Sequence, residues 1–222
     1  MSNFLLLLAL AIAIFEWVIV AKDWRTLEYI SKPTVTLILL LWMILNGGLE
    51  LPLFWFTLGL LFSLAGDVFL MLPKDLFIPG LVSFLFGQLC YLIGFNIPAP
   101  QFNAASLVLL AIVVATGLLI YRRITVGLEA LGQKKLKPPV AIYSLAISLM
   151  LFSALHTLVR QDWSLLAAFS ASAGALLFFI SDTLWGWNKF VAPLRYGKII
   201  INGTYHLGQI GIALGAILHF AR

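Results

Sequence analysis

The sequence has 222 residues, of which 62% are hydrophobic and only 10% are charged. Soluble domains carry about a quarter charged residues, so this chain has too little polar surface to coat a water-soluble globule, and lipid must be its solvent. The net charge of +5 does not indicate nucleic-acid binding, because the basic residues stand singly or in pairs between apolar runs, as membrane flanks do.

Eight apolar runs of roughly 15–22 residues, each long enough to cross a bilayer, follow one another along the chain. No basic residues precede the first run, and about 17 apolar residues are long enough to span, so we expect a retained helix and not a cleaved signal peptide. We therefore predict an all-α integral membrane protein with a single transmembrane domain over residues 1–222. The predicted spans are 3–20, 33–46, 51–72, 77–97, 103–121, 138–159, 163–183 and 197–220.

The basic residues predict the orientation of the spans. The odd-numbered connections hold twelve of the 14 Lys and Arg residues, and the opposite side holds only Arg160 and Arg222. Basic residues are enriched in cytoplasmic loops, so we expect the odd-numbered connections in the cytoplasm and both termini on the non-cytoplasmic side. The twelve residues are Lys22, Arg25, Lys32, Lys74, Arg122, Arg123, Lys134, Lys135, Lys137, Lys189, Arg195 and Lys198.

The two halves of the sequence resemble each other. A Lys-Pro, Asp, Gly-Gln order occurs twice, at offsets of 105, 115 and 121 residues. Four spans per copy is an even number, so we predict two parallel four-helix repeats, approximately residues 1–100 and 101–222. The paired motifs are Ser31-Lys32-Pro33 with Leu136-Lys137-Pro138, Gly66-Asp67 with Ser181-Asp182, and Gly87-Gln88 with Gly208-Gln209.

Two aspartates lie at corresponding places inside the predicted spans. Asp67 precedes Lys74 by seven residues, and Asp182 precedes Lys189 by seven, which places both carboxyls roughly 10 Å inside the cytoplasmic boundary. An ionisable group in hydrocarbon is costly unless it is paired or hydrated. We predict that the two carboxyls face each other across a central cavity; the alternative is that each makes a helix-packing hydrogen bond.

Two amide–phenol pairs lie at a similar depth. Gln88 and Tyr91 are three residues apart, and Tyr205 and Gln209 are four apart, so each pair shares one face of its helix. Gln and Tyr side chains hydrogen-bond carboxylates, waters and ester oxygens. We predict that they contribute to the site, with interhelical packing as the alternative.

Two lysines, Lys32 and Lys137, each precede a proline, and proline commonly occupies the first position of a helix. A lysine beside a helix N-terminus at the membrane surface is suited to a lipid phosphate, and an ordinary topology charge is the alternative. Arg195 and Lys198 are weaker candidates for the same role.

The remaining polar residues within the spans give weaker signals. Glu16 is a third buried carboxyl candidate, which we rank below the aspartates because it has no counterpart in the second half. His156 and His219 lie at the outer ends of their spans and His206 lies much deeper, so the three cannot share one zinc site. Cys90 has no evident activating base. We expect neither a metal nor a cofactor.

Five motifs together give the chain a resemblance to the YhhN family, the membrane lysoplasmalogenases. They run in family order across nearly the whole chain. The motifs are Ser31-Lys32-Pro33, Gly66-Asp67-Val68-Phe69-Leu70, Phe86-Gly87-Gln88-x-x-Tyr91, Phe179-Ile180-Ser181-Asp182-Thr183 and Thr204-Tyr205-His206-x-x-Gln209.

The resemblance implies an activity that composition does not show: hydrolysis of the vinyl ether of lysoplasmenyl-ethanolamine or -choline to a fatty aldehyde and a glycerophospho-headgroup. This chemistry begins with protonation of an alkene carbon and passes through an oxocarbenium-like species, as glycoside hydrolysis does. We expect one of Asp67 and Asp182 to be the general acid and the other the base or electrostatic partner. The expected substrate-binding residues are Lys32, Gln88, Tyr91, Lys137, Ser181, Tyr205 and Gln209.

Two other functions suit the same features. Parallel repeats with buried carboxylates are typical of a small proton-coupled transporter or channel, and a lipid-binding bundle without chemistry is a third reading. The expected partners are the bilayer and an ether lysophospholipid, with no nucleic acid. A compact, basic membrane protein is typical of the bacterial inner membrane, with the endoplasmic reticulum as an alternative. The sequence leaves the oligomeric state open.

Overall fold

The computed structural model describes residues 2–72 and 76–221, with side chains from residue 4 onward in those ranges. Within them the chain forms eight α-helices and no strands, which confirms the all-α prediction. Two 3-10 turns, Lys134–Leu136 and Thr157–Val159, flank the sixth helix. The helices are α1 (Ser2–Ala21), α2 (Arg25–Leu45), α3 (Leu53–Met71), α4 (Phe77–Phe95), α5 (Ala104–Ala130), α6 (Lys137–His156), α7 (Leu165–Phe190) and α8 (Gly197–Phe220).

Seven of these helices, α1 to α7, are long and apolar enough to cross a membrane, judged by length and composition. The 24-residue α8 is not among the seven, because polar side chains such as Tyr205, His206 and Gln209 lower its hydropathy. These three side chains are buried, and α8 packs against α1, α2, α3 and α7. We therefore treat α8 as the eighth span of a multi-pass membrane protein.

The connections between helices gather at two ends of the bundle. The end that holds the connections after α1, α3, α5 and α7 is called the basic end here. There Lys198 Nζ lies 3.3 Å from Asp23 Oδ1, which joins the segments at the starts of α8 and α2. The orientation of the basic end toward the cytoplasm and the repeat of the two halves stay predictions. Lys74 and Arg222, which the orientation count includes, lie outside the described residues.

The second helix differs from its predicted span. It begins at Arg25, eight residues before the predicted start, so Pro33 lies inside α2 and not at its first position. Proline cannot donate a backbone hydrogen bond, so the Tyr29 carbonyl lacks its usual helical donor. The next residue, Thr34, donates from Oγ1 to the Ile30 carbonyl at 2.6 Å. The prediction that Lys32 precedes a helix start is therefore wrong. In the second half, Pro138 does lie in the first turn of α6.

Two other helices run past the ends of their apolar segments. The fifth helix was predicted to end at residue 121 but continues to Ala130, and α7 continues to Phe190 instead of residue 183. The added turns lie at the basic end, where backbone hydrogen bonds continue the helix after the apolar run has ended. Gly132 follows α5 at φ +70°, a left-handed conformation that glycine adopts without steric cost.

The tightest packing in the bundle joins α7 to α8. A Cβ added at Gly211 would lie 2.7 Å from the Gly174 Cα, so the two backbones are in direct contact. Such close approach is typical of small residues at membrane helix interfaces. It fixes the rotation of α8 and leaves Asn202, Tyr205 and Gln209 buried in the interior of the bundle.

Candidate active site

A cavity of ≈ 480 Å³ lies at the basic end of the bundle. That volume falls within the range of about 300–1,000 Å³ that is usual for small-molecule sites. Residues from α2 through α8 line it, about half of them apolar and the rest polar or charged. The polar and charged groups include Arg25, Glu28, Lys32, Asp67, Tyr143, Ser181, Asp182, Lys198, Asn202 and Tyr205.

The first carboxyl, Asp67 on α3, is almost completely buried, with 1% of the residue exposed. The Tyr205 hydroxyl donates to its Oδ2 at 2.7 Å, and the Thr36 hydroxyl donates to the same atom at 3.3 Å. Lys32 Nζ lies 3.4 Å from Oδ1 and 5.4 Å from the centre of the Tyr205 ring. A cation and two hydroxyl donors therefore surround this carboxyl, an arrangement that stabilises its ionised form.

The second carboxyl, Asp182 on α7, lines the same cavity and is only partly buried. The Tyr143 hydroxyl of α6 donates to its Oδ2 in a short hydrogen bond. No described Lys or Arg lies within ion-pair distance of it. Because an ionised carboxyl in a low-dielectric interior is costly without a cation, this arrangement favours the protonated form of Asp182.

A chain of hydrogen bonds leads from Asp67 into the bundle. The Tyr205 hydroxyl, which donates to Asp67, accepts from Gln209 Nε2 at 3.4 Å, and Gln209 Oε1 accepts from the Tyr91 hydroxyl at 2.6 Å. Of these phenols and amides, Tyr205 lines the cavity, whereas Tyr91 and Gln209 lie behind it. The two latter residues therefore orient Tyr205 and do not themselves line the cavity.

Two other predicted site residues, Gln88 and Ser181, differ in their positions relative to the cavity. Gln88 is 1% exposed, and neither atom of its amide has a hydrogen-bond partner among the described residues; it does not line the cavity. Ser181 lines the cavity, but its hydroxyl donates to the Ile201 carbonyl at 2.9 Å. Ser181 therefore joins α7 to α8.

The two lysines of the repeated Lys-Pro motif have unlike surroundings. Lys32 lies two turns inside α2, with its side chain 16% exposed and its ammonium beside Asp67. Lys137 pairs with Glu129 at the basic end and does not line the cavity. The structure brings Lys32 to Asp67 and leaves Lys137 apart from both aspartates.

A second buried polar cluster was only partly foreseen. Glu16 is fully buried, and Asn202 Nδ2 donates to its Oε1 at 2.9 Å. His206 Nδ1 lies 3.7 Å from Glu16 Oε2 and accepts from Trp17 Nε1 at 3.3 Å. Asn202 also lines the cavity, so it joins this cluster to the site. Its position three residues before Tyr205, on the same face of α8, is the signal that sequence reasoning overlooked.

The three histidines lie in separate environments. The ring of His219 stacks on Trp163 with centroids 4.0 Å apart, and His156 Nε2 lies 2.8 Å from the Ser106 hydroxyl. His206 belongs to the Glu16 cluster. Among residues 2–72 and 76–221, no three His, Cys, Asp or Glu side chains are grouped as metal ligands. Cys90 is a buried free thiol.

Sequence comparisons identify known proteins that are similar to this chain. Residues 27–216 match the model of the YhhN family. The lysoplasmalogenase TMEM86B of Sus scrofa is 31% identical over 160 residues, which are 70% of this chain and 60% of that protein. TMEM86B of Mus musculus is 28% identical over 213 residues, 95% of this chain and 84% of that protein.

A bacterial relative gives a similar result. The lysoplasmalogenase of Mycobacterium bovis is 29% identical over 168 residues, which cover 72% of this chain and 59% of that protein. The match thus spans about 60% of the length of the pig and mycobacterial proteins. No solved structure matches the chain.

Proposed function

Because this chain belongs to the YhhN family, we propose that it is a membrane hydrolase that cleaves the vinyl ether bond of lysoplasmalogens, such as lysoplasmenyl-ethanolamine or -choline. The products are a fatty aldehyde and a glycerophospho-headgroup. Relatives named lysoplasmalogenase support the activity. The observation that carries the chemistry is the single cavity at the basic end, lined by both Asp67 and Asp182.

Asp182 is the general acid in this proposal. Its Oδ2 accepts from Tyr143, no described cation is paired with it, and its partial exposure gives a ligand in the cavity access to its proton. Delivery of a proton by a positioned carboxyl contributes about 10²–10⁴-fold to a rate. The proton goes to the alkenyl carbon that is not bonded to oxygen, which converts the vinyl ether to an oxocarbenium ion.

Asp67 is the electrostatic partner. Ionised beside Lys32 and Tyr205, it supplies a fixed negative charge in a low-dielectric site, where such charges act most strongly on developing positive charge. The Lys32 ammonium keeps this carboxylate from taking the proton of Asp182. One carboxyl therefore keeps its proton and the other its charge, the division that two-carboxyl hydrolases use.

The remaining steps return the site to its starting state. Water adds to the oxocarbenium carbon, and the Asp182 carboxylate takes the proton that the water releases. The resulting hemiacetal breaks its bond to the glycerol oxygen, which leaves with a proton as a hydroxyl group, while the carbon becomes the aldehyde. One water is consumed and no redox partner is needed.

The substrate's phosphate lies at the open, charged end of the cavity in this proposal. Arg25 and Lys198 line that end, and both lie near Asp23 at 3.7 and 3.3 Å. They are better placed for a phosphate than Lys137, which is paired with Glu129 outside the cavity. The alkenyl chain extends among the apolar side chains that line the rest of the cavity, including Phe84 and Ile147.

The proposal is tested by mass spectrometry of lysoplasmenyl-choline incubated with the purified protein in detergent, in H₂O and in D₂O. We expect a fatty aldehyde that carries one solvent deuterium on the carbon next to the carbonyl, because that carbon receives the proton. Intact lipid after incubation, with uptake into proteoliposomes, would instead support the transporter alternative. Intact lipid that only binds would support the lipid-binding bundle.

A further inference from the structure

The Asn202 amide is held in one orientation from behind the cavity. Its Nδ2 donates to Glu16 Oε1 at 2.9 Å, and both residues are buried, Glu16 at 0% and Asn202 at 5% exposure. Because Nδ2 is the amide atom that faces Glu16, the carbonyl Oδ1 points away from Glu16. No described residue donates to that Oδ1.

Glu16 itself is supported on one side only. Its Oε1 accepts from Asn202, whereas its Oε2 has no hydrogen-bond partner among the described residues and lies 3.7 Å from His206 Nδ1. Glu16 does not line the cavity. Buried polar groups are costly unless they form hydrogen bonds. The hydrogen bond that Glu16 receives comes from the Asn202 amide, which indicates that Glu16 orients this amide.

The spacing along α8 relates Asn202 to the reacting bond. Asn202 lies three residues before Tyr205, or about 4.5 Å toward the basic end, and Tyr205 donates to Asp67. Lys198 lies four residues before Asn202 and also lines the cavity. One face of α8 thus presents, in order from the basic end, a cation, an amide carbonyl and the phenol at the carboxylate.

The same order occurs in a lysoplasmalogen. The phosphate is on one end of the glycerol, the free sn-2 hydroxyl is on the middle carbon, and the vinyl ether oxygen is on the other end. The sn-2 oxygen and the ether oxygen are on adjacent carbons, so side chains from neighbouring turns of one helix can reach both. An unpaired amide carbonyl is an acceptor and requires a donor, and a hydroxyl is the donor that a lysolipid has at this position.

We propose that Asn202 Oδ1 accepts a hydrogen bond from the sn-2 hydroxyl of the substrate and that Glu16 is the positioning residue that turns this carbonyl toward it. The inference rests on the proposed function and adds to it a basis for choosing lysolipids. A lipid acylated at sn-2 has no hydroxyl to donate and brings a bulky ester against a buried amide.

The test compares lysoplasmenyl-choline with its sn-2-deoxy analogue, which lacks only the hydroxyl. We expect wild type to cleave the deoxy lipid with kcat/KM about 10–100-fold lower, because the buried amide carbonyl is then left without its donor. In Asn202→Ala the two lipids should be cleaved at nearly equal kcat/KM. Choline has no N–H, so an effect that appears only with ethanolamine lipids would assign Asn202 to the headgroup and overturn the inference.

The outcomes separate this inference from the proposed function. If wild type releases no aldehyde from either lipid, the proposed function fails. If wild type cleaves both lipids equally well, or if Asn202→Ala keeps the wild-type preference, the inference fails and the hydrolase remains. Where Asn202→Ala does not fold, equal cleavage of the two lipids by wild type still overturns the inference.

The ratio of kcat/KM for the hydroxylated lipid to kcat/KM for the deoxy lipid also tests the positioning role of Glu16. Glu16→Gln keeps an oxygen that accepts from Asn202 Nδ2 and should keep the preference for the hydroxylated lipid. Glu16→Leu removes that acceptor, frees the amide to rotate, and should lower the preference toward that of Asn202→Ala. Loss of expression or activity with an unchanged ratio in Glu16→Leu would show a purely structural role.

Discussion

Asp67 on α3 and Asp182 on α7 line one cavity, but their surroundings differ. Asp67 is enclosed and receives hydrogen bonds from Tyr205 and Thr36 beside the Lys32 ammonium. Asp182 is partly exposed and receives one from Tyr143. The two carboxyls therefore lie in different electrostatic environments. This difference suits a pair in which Asp67 is ionised and Asp182 is protonated.

The lysines account for much of this difference. Lys32 lies two turns inside α2, because that helix begins at Arg25. Lys137 lies at the start of α6 and pairs with Glu129. The Lys32–Asp67 ion pair is buried in the site, whereas the Lys137–Glu129 ion pair lies outside the cavity. Four sets of substitutions test whether the two carboxyls differ in this way.

The largest effect is expected from Asp182→Asn. Removing the general acid should lower kcat about 10²–10⁴-fold, with little change in thermal unfolding because the amide still accepts from Tyr143. Aldehyde release under saturating lysoplasmenyl-choline measures the rate. Asp67→Asn is the matched variant and should lower both activity and stability, because it leaves Lys32 without its partner. Near-normal turnover in Asp182→Asn would remove it as the acid.

Lys32→Met tests the buried ion pair. It leaves the Asp67 carboxylate without a cation, and breaking a buried pair on one side costs about 3–5 kcal/mol of unfolding free energy. Denaturant unfolding in detergent measures the loss. The double variant Lys32→Met/Asp67→Asn should recover part of it, because no unpaired charge is then buried. If the loss of unfolding free energy in the double variant equals the sum of the losses in the two single variants, Lys32 and Asp67 are not energetically coupled.

The two phenols test the charge states of the carboxyls. Tyr205→Phe removes a hydrogen bond to an ionised carboxylate, worth about 1.5–3 kcal/mol, whereas Tyr143→Phe removes one to a neutral acid, worth about 0.5–1.5 kcal/mol. Unfolding of both variants under identical conditions gives the comparison. A larger loss in Tyr143→Phe would reverse the assignment of charge and proton.

The smallest effect is expected from Lys137→Met. Its partner Glu129 is exposed, and surface ion pairs contribute little to stability. Neither the unfolding midpoint nor KM for lysoplasmenyl-choline should change measurably. A clear rise in KM would instead support the sequence-based prediction that Lys137 holds the lipid phosphate.

Much of the fold was predictable from the sequence, because apolar runs of spanning length leave few alternatives to helices in lipid. The start of α2 was not, since residues 25–32 are more polar than the run that follows them, and Pro33 indicated a helix start although it lies inside α2. This error also misplaced Lys32, which was assigned to a helix N-terminus and lies beside Asp67 instead.

The site was predictable where a polar side chain lies within a predicted span, as Asp67, Asp182 and Tyr205 do. Partners that lie far apart in sequence were not, because Tyr143 and Asp182 meet only when α6 packs against α7. The same holds for Glu16 and Asn202, which are 186 residues apart. Only the rotation of α8, fixed by its glycine contact with α7, brings Asn202 to the cavity.

The central claim is that both carboxyls act on one bound lipid, and a structure with a saturated ether analogue tests it most directly. A 1-O-alkyl lysophosphocholine lacks the alkene and should bind uncleaved. We predict that its ether oxygen and first alkyl carbons lie between Asp182 and the Asp67–Tyr205 pair, with its phosphate near Arg25 and Lys198. A lipid that binds outside the cavity, or that contacts only one of the two carboxyl sites, would contradict the claim.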